Sequence, residues 1–284
     1  MPRIRARLLA RAAIIPAVLL VAACSTTPPA HLATSVPANA AETQNRSFIA
    51  LVKAADQASL GGDIATAITL YRQAHLLDGT AIYPLRRMAD MLVDANALPD
   101  AVEAYRAAIR IDGRDVAARL GLGNTLLMLG QPALAVGHFE QALAVAPDDL
   151  AALNALAVTR DLLGEHAIAQ ERYRAILETW PDDRRTRINL ALSLALSGVF
   201  DEALALAEPL AADPVAGPHE RQNLALIYGL AGNDGAAAAL ASQDLDSESV
   251  RRNLAFYALL RAMPVEQRLR ALYTRPAQAA QLAR

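Results

Sequence analysis

The sequence contains one cysteine among 284 residues, at position 24. A single thiol cannot form an intrachain disulfide, a cysteine-based zinc site or a CxxC redox motif, so all three are excluded. Lysine is almost as rare, since Lys53 is the only one among 27 basic residues. No arginine-rich run takes its place in the body of the chain, and the formal net charge is −2. We therefore expect no nucleic-acid partner.

Aromatic residues are also scarce, at 4% of the chain, although 54% of the residues are hydrophobic. Alanine and small aliphatic side chains supply most of that apolar content. β-Structure favours β-branched and aromatic residues, whereas alanine has the highest helix propensity and lets helices approach closely. The composition therefore predicts an all-α fold of closely packed helices.

The N-terminal segment, residues 1–23, has the layout of a secretory signal. Four arginines, at positions 3, 5, 7 and 11, precede an apolar stretch from Ala12 to Ala23 that only Pro16 interrupts. The alternative is a transmembrane anchor, which needs roughly 18 or more uninterrupted apolar residues. The shorter stretch and its proline favour a cleaved signal peptide over residues 1–23.

Residues 21–24 (VAAC) resemble the lipobox of bacterial lipoproteins. This resemblance implies cleavage before Cys24, attachment of lipid to its thiol and acylation of the new amino terminus. Ser25 at the next position is compatible with sorting to the outer membrane, with the protein facing the periplasm. The resemblance thus implies contact with the membrane through the lipid alone. Residues 24–47 are rich in Pro, Ala, Thr and Ser and predict a flexible tether.

A constant period runs through the rest of the chain without insertion or deletion, in blocks that begin at residues 48, 82, 116, 150, 184 and 218. Position eight of the blocks holds Ala55, Ala89, Gly123, Ala157, Ala191 and Ala225, and position twenty holds Ala67, Ala101, Ala135, Ala169, Ala203 and Ala237. Small residues at both positions predict two helices that pack against each other at close range.

Two further block positions support the same arrangement. Position twenty-four holds Tyr71, Tyr105, Phe139 and Tyr173, followed by Ala207 and Ala241. Position fifteen holds Gly62, Asn96, Gly130, Gly164, Gly198 and Gly232. The rings fill the space beside the helix contact, and glycine or asparagine ends the first helix in a left-handed cap. The aspartates before the fourth and fifth blocks, at positions 148–149 and 182–183, are placed to cap the helices that follow.

This pattern resembles the tetratricopeptide repeat, a helix–turn–helix unit of about 34 residues, which is also the length of these blocks. The resemblance implies a solenoid of six repeats over residues 48–81, 82–115, 116–149, 150–183, 184–217 and 218–246. Pro209 predicts a short second helix in the fifth repeat. Ser247 or Ser249 can cap a further helix that covers the last repeat, and residues 247–284 are expected to hold capping helices and a tail.

No constellation of residues indicates an enzyme. The histidines at positions 31, 75, 138, 166 and 219 fall at unrelated places in the blocks, and none has metal-ligand spacing. The serines lack a GxSxG setting, and no glycine-rich loop follows a predicted strand. We therefore predict no catalytic residue, metal, cofactor or small-molecule substrate.

First helices line the concave side of such a stack, chiefly through block positions two, five, nine, twelve and thirteen. These positions predict a polar section and an apolar section for protein contact. The candidate residues are Tyr83, Arg86, Asp90, Asn124, Asn154, Asp161, Ile188, Leu192 and Leu226. Two interpretations of the apolar section stay open: a groove for a partner peptide, or a surface that the chain's own last helices cover.

Residues 221–232 (RQNLALIYGLAG) and 249–257 (SVRRNLAFY) resemble the C-terminal part of the TadD family. These are tetratricopeptide lipoproteins of the tight-adherence (Flp) pilus assembly system. The resemblance implies a non-catalytic role in pilus assembly, with the secretin or other assembly components as partners. The alternative is an NlpI-like or pilotin-like adaptor that recruits peptidoglycan hydrolases or another envelope complex.

Overall fold

The computed structural model describes residues 38–265, 267, 268, 271 and 272. The predicted signal peptide, Cys24 and the tether as far as residue 37 lie outside the described residues. The chain divides into two compact units, Met1–Ala41 and Glu42–Arg284. Of the first unit only residues 38–41 are described, and they begin the first helix. Residues 38–47 belong to the predicted tether but are helical, so that part of the prediction is wrong.

The described residues form thirteen helices and no strand. In chain order the helices are α1 (Ala38–Leu60), α2 (Ile64–Leu77), α3 (Ile82–Asp94), α4 (Leu98–Ile111), α5 (Val116–Met128), α6 (Pro132–Val145), α7 (Leu150–Leu162), α8 (His166–Thr179), α9 (Arg184–Leu196), α10 (Phe200–Ala212), α11 (Pro218–Leu230), α12 (Asp234–Ala241) and α13 (Ser247–Ala262). The first residues of α3, α5, α7, α9 and α11 are the first residues of five of the six sequence blocks.

Each hairpin turn is fixed by the residue at block position fifteen. All six of these residues have positive φ: Gly62, Asn96, Gly130, Gly164, Gly198 and Gly232, at 56° to 86°. Glycine adopts this left-handed conformation at little cost and asparagine is the next most tolerant residue. The predicted helix caps are also present, since the side chains of Asp149 and Asp183 accept hydrogen bonds from the backbone N–H of Ala152 and Thr186.

The small residues at block positions eight and twenty form the core of every hairpin. The eleven alanines at these positions are completely buried. The rings of Tyr71, Tyr105, Phe139 and Tyr173 are buried beside them. Successive first helices also contact one another, from α3 to α5, α5 to α7, α7 to α9 and α9 to α11. The prediction of an all-α solenoid of helical hairpins is confirmed.

The second helix of the fifth repeat continues through Pro209 to Ala212, so the predicted shortening is wrong. A proline lacks the N–H that would donate to the carbonyl four residues earlier, here that of Ala205. Pro209 and Ala205 both lie on the exposed side of α10, where water can donate to the free carbonyl. Ala207 and Leu210 stay buried on the other side and hold the last turn in place.

The helix after the sixth repeat covers the last hairpin, as a terminal helix of a solenoid is expected to do. Its N-cap is Asp246, which accepts from the backbone N–H of Ser249 at 2.8 Å, and not one of the two predicted serines. Val250 packs with Ala225 and Ala241 of the sixth repeat. Among the described helices, none has the length and apolar character needed to cross a bilayer.

Alanine stands at block position eight in the other five repeats, but we predict that it would destabilise the protein at position 123. A Cβ atom there would lie 2.5 Å from Cε1 of the buried Phe139 ring, whereas one at Gly137 in α6 would meet nothing within 4 Å. Gly123→Ala should lower the free energy of unfolding by about 1–3 kcal/mol through overpacking. Gly137→Ala should raise it by about 0.5–1 kcal/mol through helix propensity.

Urea denaturation followed by circular dichroism measures both changes. Equal stability of the Gly123→Ala variant and the unmodified protein would contradict the packing of Phe139 described above.

Candidate partner-binding surface

The candidate residues lie on α3, α5, α7, α9 and α11, which form a continuous layer of first helices. We call the face of this layer that carries them the inner face. Its N-terminal section is polar. Tyr83 is 40% exposed there and donates from its hydroxyl to Asp56 Oδ1 at 2.9 Å. The guanidinium of Arg86 lies 5.9 Å from the centre of the Tyr83 ring and donates to Asp115 Oδ2 at 3.1 Å.

Asp90 has a structural partner inside its own repeat. Its Oδ1 accepts from the hydroxyl of the buried Tyr105 at 2.6 Å, and its Oδ2 accepts from Arg87 at 3.0 Å. The first repeat has the same pair, since Tyr71 donates to Asp56 Oδ1 at 2.5 Å. Burial, aided by this hydrogen bond, raises the pKa of Tyr71 to about 12 and raises the pKa of Tyr105 further. Asp90 therefore satisfies a buried hydroxyl and is only partly available to a partner.

Two other candidates hold the repeats together. Asn154 is buried, donates to the carbonyl of Leu150 at 3.2 Å and accepts from the hydroxyl of Thr186 at 2.9 Å. Ile188 is 2% exposed and belongs to the core of the C-terminal half. The prediction of both residues as partner contacts does not fit their burial. Asn124, in contrast, is exposed on the inner face.

A cavity of about 300 Å³ opens on the C-terminal section of the inner face. Its lining brings together three of the candidates, Asp161, Leu192 and Leu226. The remaining lining residues are Val158, Tyr173, Asn189, Ser193, Leu196, Asn223 and Leu272. Leu192 is half-buried and Leu226 is 8% exposed, so the cavity wall continues into the core.

Asp161 is the polar centre of the cavity wall. Its Oδ1 accepts from the hydroxyl of Ser193 and from Nδ1 of His166, both at 2.8 Å. His166 Nε2 is buried and has no hydrogen-bond partner among the described residues. Since a carboxylate oxygen accepts, Nδ1 carries the proton of this hydrogen bond. Of the ten described lining residues, Asp161 is the only Asp, Glu, Lys, Arg or His.

Ser193, His166 and Asp161 are the residue types of a hydrolytic triad, but their order is wrong for one. In a triad the histidine lies between serine and aspartate and takes the serine proton. Here the carboxylate lies between the other two and accepts from both. The arrangement orients side chains and activates no nucleophile. The described residues also contain no group of three or more metal-ligating side chains.

The sequence did not predict two further lining residues, Asn189 and Asn223. Both stand at position six of their blocks, where the earlier repeats have Lys53, Arg87, Gly121 and Ala155. The block positions predicted to face the concave side do not include position six. The repeated asparagine at one block position was the available indication.

Comparison with known proteins identifies the repeat. Residues 86–149, 120–167 and 163–216 match the tetratricopeptide repeat. The fold is a tetratricopeptide-repeat solenoid. Tetratricopeptide repeats are scaffolds for protein interaction, and their extended concave surfaces provide the contact area. No curated protein matches the sequence at a significant level.

Several solved structures share this tetratricopeptide fold at low sequence identity. A tetratricopeptide repeat protein from Parabacteroides merdae is 18% identical, with a TM-score of 0.64 over 82% of this chain and 93% of its own. PilW, a type IV pilus biogenesis factor, is 19% identical, with a TM-score of 0.63 over 73% and 96%. PilF of Pseudomonas aeruginosa is 15% identical, with a TM-score of 0.59 over 75% and 99%.

The Tyr105–Asp90 pair generates a prediction about stability. Tyr105→Phe removes the donor and should lower the free energy of unfolding by about 1–3 kcal/mol, because Oδ1 of the half-buried Asp90 carboxylate loses its tyrosine donor and only the Arg87 contact to Oδ2 remains. Adding Asp90→Asn should restore part of that loss, since it recreates the Phe139 and Asn124 combination of the third repeat. Urea denaturation of the two single variants and the double variant measures the coupling. Strictly additive losses would contradict a direct interaction.

Proposed function

We propose that this protein is a non-catalytic, lipid-anchored scaffold of the bacterial outer membrane that faces the periplasm and assists pilus assembly. In its most specific form, the proposal is that it supports the secretin or another component of the tight-adherence (Flp) machinery. The observation that carries the proposal is the inner-face cavity, because it combines apolar walls with polar groups in a fold that binds proteins.

The cavity is suited to one segment of a protein partner. Leu192 and the exposed edge of Leu226 can contact an apolar side chain, whose burial supplies most of the affinity of such a contact. The amides of Asn189 and Asn223 each carry donors and acceptors that can bind the partner's backbone. The Asp161 carboxylate is buried in the cavity wall and already accepts from Ser193 and His166, so it disfavours an acidic residue there without bonding to the partner directly.

Membrane attachment rests on the N-terminal segment alone. The arginine-rich start, the short apolar stretch and the VAAC sequence before Ser25 are those of a lipoprotein signal. Acyl chains at Cys24 provide an anchor that does not require a membrane-spanning helix. The inner face would then lie in the periplasm, where secretins and pilus components assemble.

Two observations of different kinds support the proposed role in pilus assembly. Residues 221–232 and 249–257 resemble TadD of the tight-adherence system. PilW and PilF share the fold, and the former is a type IV pilus biogenesis factor. The similarity to PilW also favours a second candidate, a pilotin-like or NlpI-like adaptor that serves another envelope complex through the same inner face.

The cavity can be tested by complementing a deletion strain. Leu192→Glu places a second negative charge near Asp161 and removes part of the apolar wall, so it should abolish surface Flp pili and adhesion. Leu134→Glu is the matched control, since Leu134 is 57% exposed on α6 and outside the cavity lining. Both variants must reach normal levels with native circular dichroism.

A normal level of surface pili in the Leu192→Glu strain would show that pilus assembly does not require the cavity. A deletion strain that keeps its Flp pili but loses another envelope structure would favour the second candidate.

The anchor is tested separately. Cys24→Ser removes the thiol that lipid attachment requires, so the protein should no longer sediment with outer membranes and should lose incorporation of labelled fatty acid. Ser25→Ala keeps the thiol and serves as the control. Labelling of the Cys24→Ser variant at the level of the control would contradict lipidation at this residue.

A further inference from the structure

The end of the described chain reaches the inner face. Leu272 forms part of the cavity wall, together with Leu196 and Leu226. Arg268 donates from Nη1 to the backbone carbonyl of Leu196 at 3.0 Å. Leu196 thus belongs to the cavity lining and also accepts a hydrogen bond from Arg268. We call residues 265–272 the C-terminal segment, of which 265, 267, 268, 271 and 272 are described.

Arg268 and Leu272 present a basic and an apolar group with helical spacing. Both residues are helical, and side chains four positions apart lie on the same side of a helix. The guanidinium faces an acceptor at the end of α9, and the leucine lies at the apolar wall. A foreign helical segment with the same spacing can make the same two contacts, one to the Leu196 carbonyl and one to the apolar wall.

The C-terminal segment is held less firmly than the helix before it. Tyr257 and Leu260 of α13 are 4% and 0% exposed, so α13 is anchored by its own core contacts. Arg268, Ala271 and Leu272 are only half-buried, and Leu272 packs at the margin of the core cluster. Elements with few buried apolar contacts open at low free energy while the rest of the fold stays intact. The segment can therefore leave the inner face without unfolding α13.

We propose that the C-terminal segment is an internal competitor for the inner-face cavity. Arg268 and Leu272 cover part of the surface that a partner segment needs, and a partner must displace them to bind. The partner segment this selects is helical, with a basic residue followed four positions later by leucine or a similar apolar residue. This inference rests on the proposed function only in taking the inner face as the place where a partner binds.

A peptide of the chain's own residues 262–284 is the probe, with a fluorescent label and anisotropy as the readout. In the unmodified full-length protein the attached C-terminal segment excludes this peptide from the inner-face cavity. A tethered segment acts at an effective concentration in the millimolar range, so it outcompetes a free copy of itself. Leu272→Asp in the full-length protein should free the surface and increase the affinity for the peptide by about tenfold or more.

Three controls locate the effect. Leu259→Asp changes an exposed leucine of α13 outside the cavity lining and should leave peptide affinity as low as in the unmodified protein. Leu192→Glu combined with Leu272→Asp should abolish binding. A peptide carrying Arg268→Glu and Leu272→Asp should not bind any of the proteins. Arg268→Ala in the full-length protein removes the hydrogen bonds from the guanidinium to the carbonyls of Leu196, Met263 and Arg261. It replaces Leu272→Asp if that variant does not keep its helical circular dichroism.

Equal affinity of the unmodified and the released proteins would overturn the proposal, as would failure of a folded, released variant to bind the peptide. The result does not depend on the pilus assay. Peptide binding with unimpaired piliation in the Leu192→Glu strain would reject the proposed function and keep the internal competitor. Loss of piliation in the Leu192→Glu strain, together with no peptide binding by the released variant, would reject the internal competitor and keep the proposed function.

Discussion

The two helices of each hairpin can approach closely because no side chain larger than a methyl group stands at block positions eight and twenty. These residues are buried in all six repeats, and protein interiors are too densely packed to admit a larger group there. At Gly123 even a methyl group is too large, since the Phe139 ring occupies the space. This contact sets the rotation of each first helix, and the rotation decides which residues reach the inner face.

Position nine shows how one repeat can carry both stability and function. Along the chain it holds Asp56, Asp90, Asn124, Val158, Leu192 and Leu226. The two aspartates accept from tyrosine hydroxyls at position twenty-four of the same repeat. The fifth and sixth repeats have alanine at position twenty-four, so no hydroxyl needs a partner and position nine is leucine. These two leucines line the cavity. In the fourth repeat position nine is already apolar, Val158, while the ring of Tyr173 remains, and both residues line the cavity. The apolar site therefore begins one repeat before the ring is lost.

The sequence was sufficient to predict features that depend on one repeat alone. The left-handed turns, the aspartate caps and the buried alanines all follow from residues close together in the chain. The burial of Asn154 and Asp161 could not be predicted, because their partners Thr186 and Ser193 come from the next repeat. The block positions of Asn154 and Asp161 alone indicated that their polar side chains are exposed. The helical start of α1 was missed because its exposed residues, 39–47, show no apolar periodicity.

The contacts of Asn154 with Thr186 and of Asp161 with Ser193 form two buried hydrogen bonds between α7 and α9, each joining residues 32 positions apart. Buried hydrogen bonds restrict side-chain rotamers more strictly than apolar contacts do. Asp161 and Ser193 line the cavity, so this part of its wall is ordered before a ligand enters. A ligand that binds against it imposes little loss of conformational freedom on these two side chains.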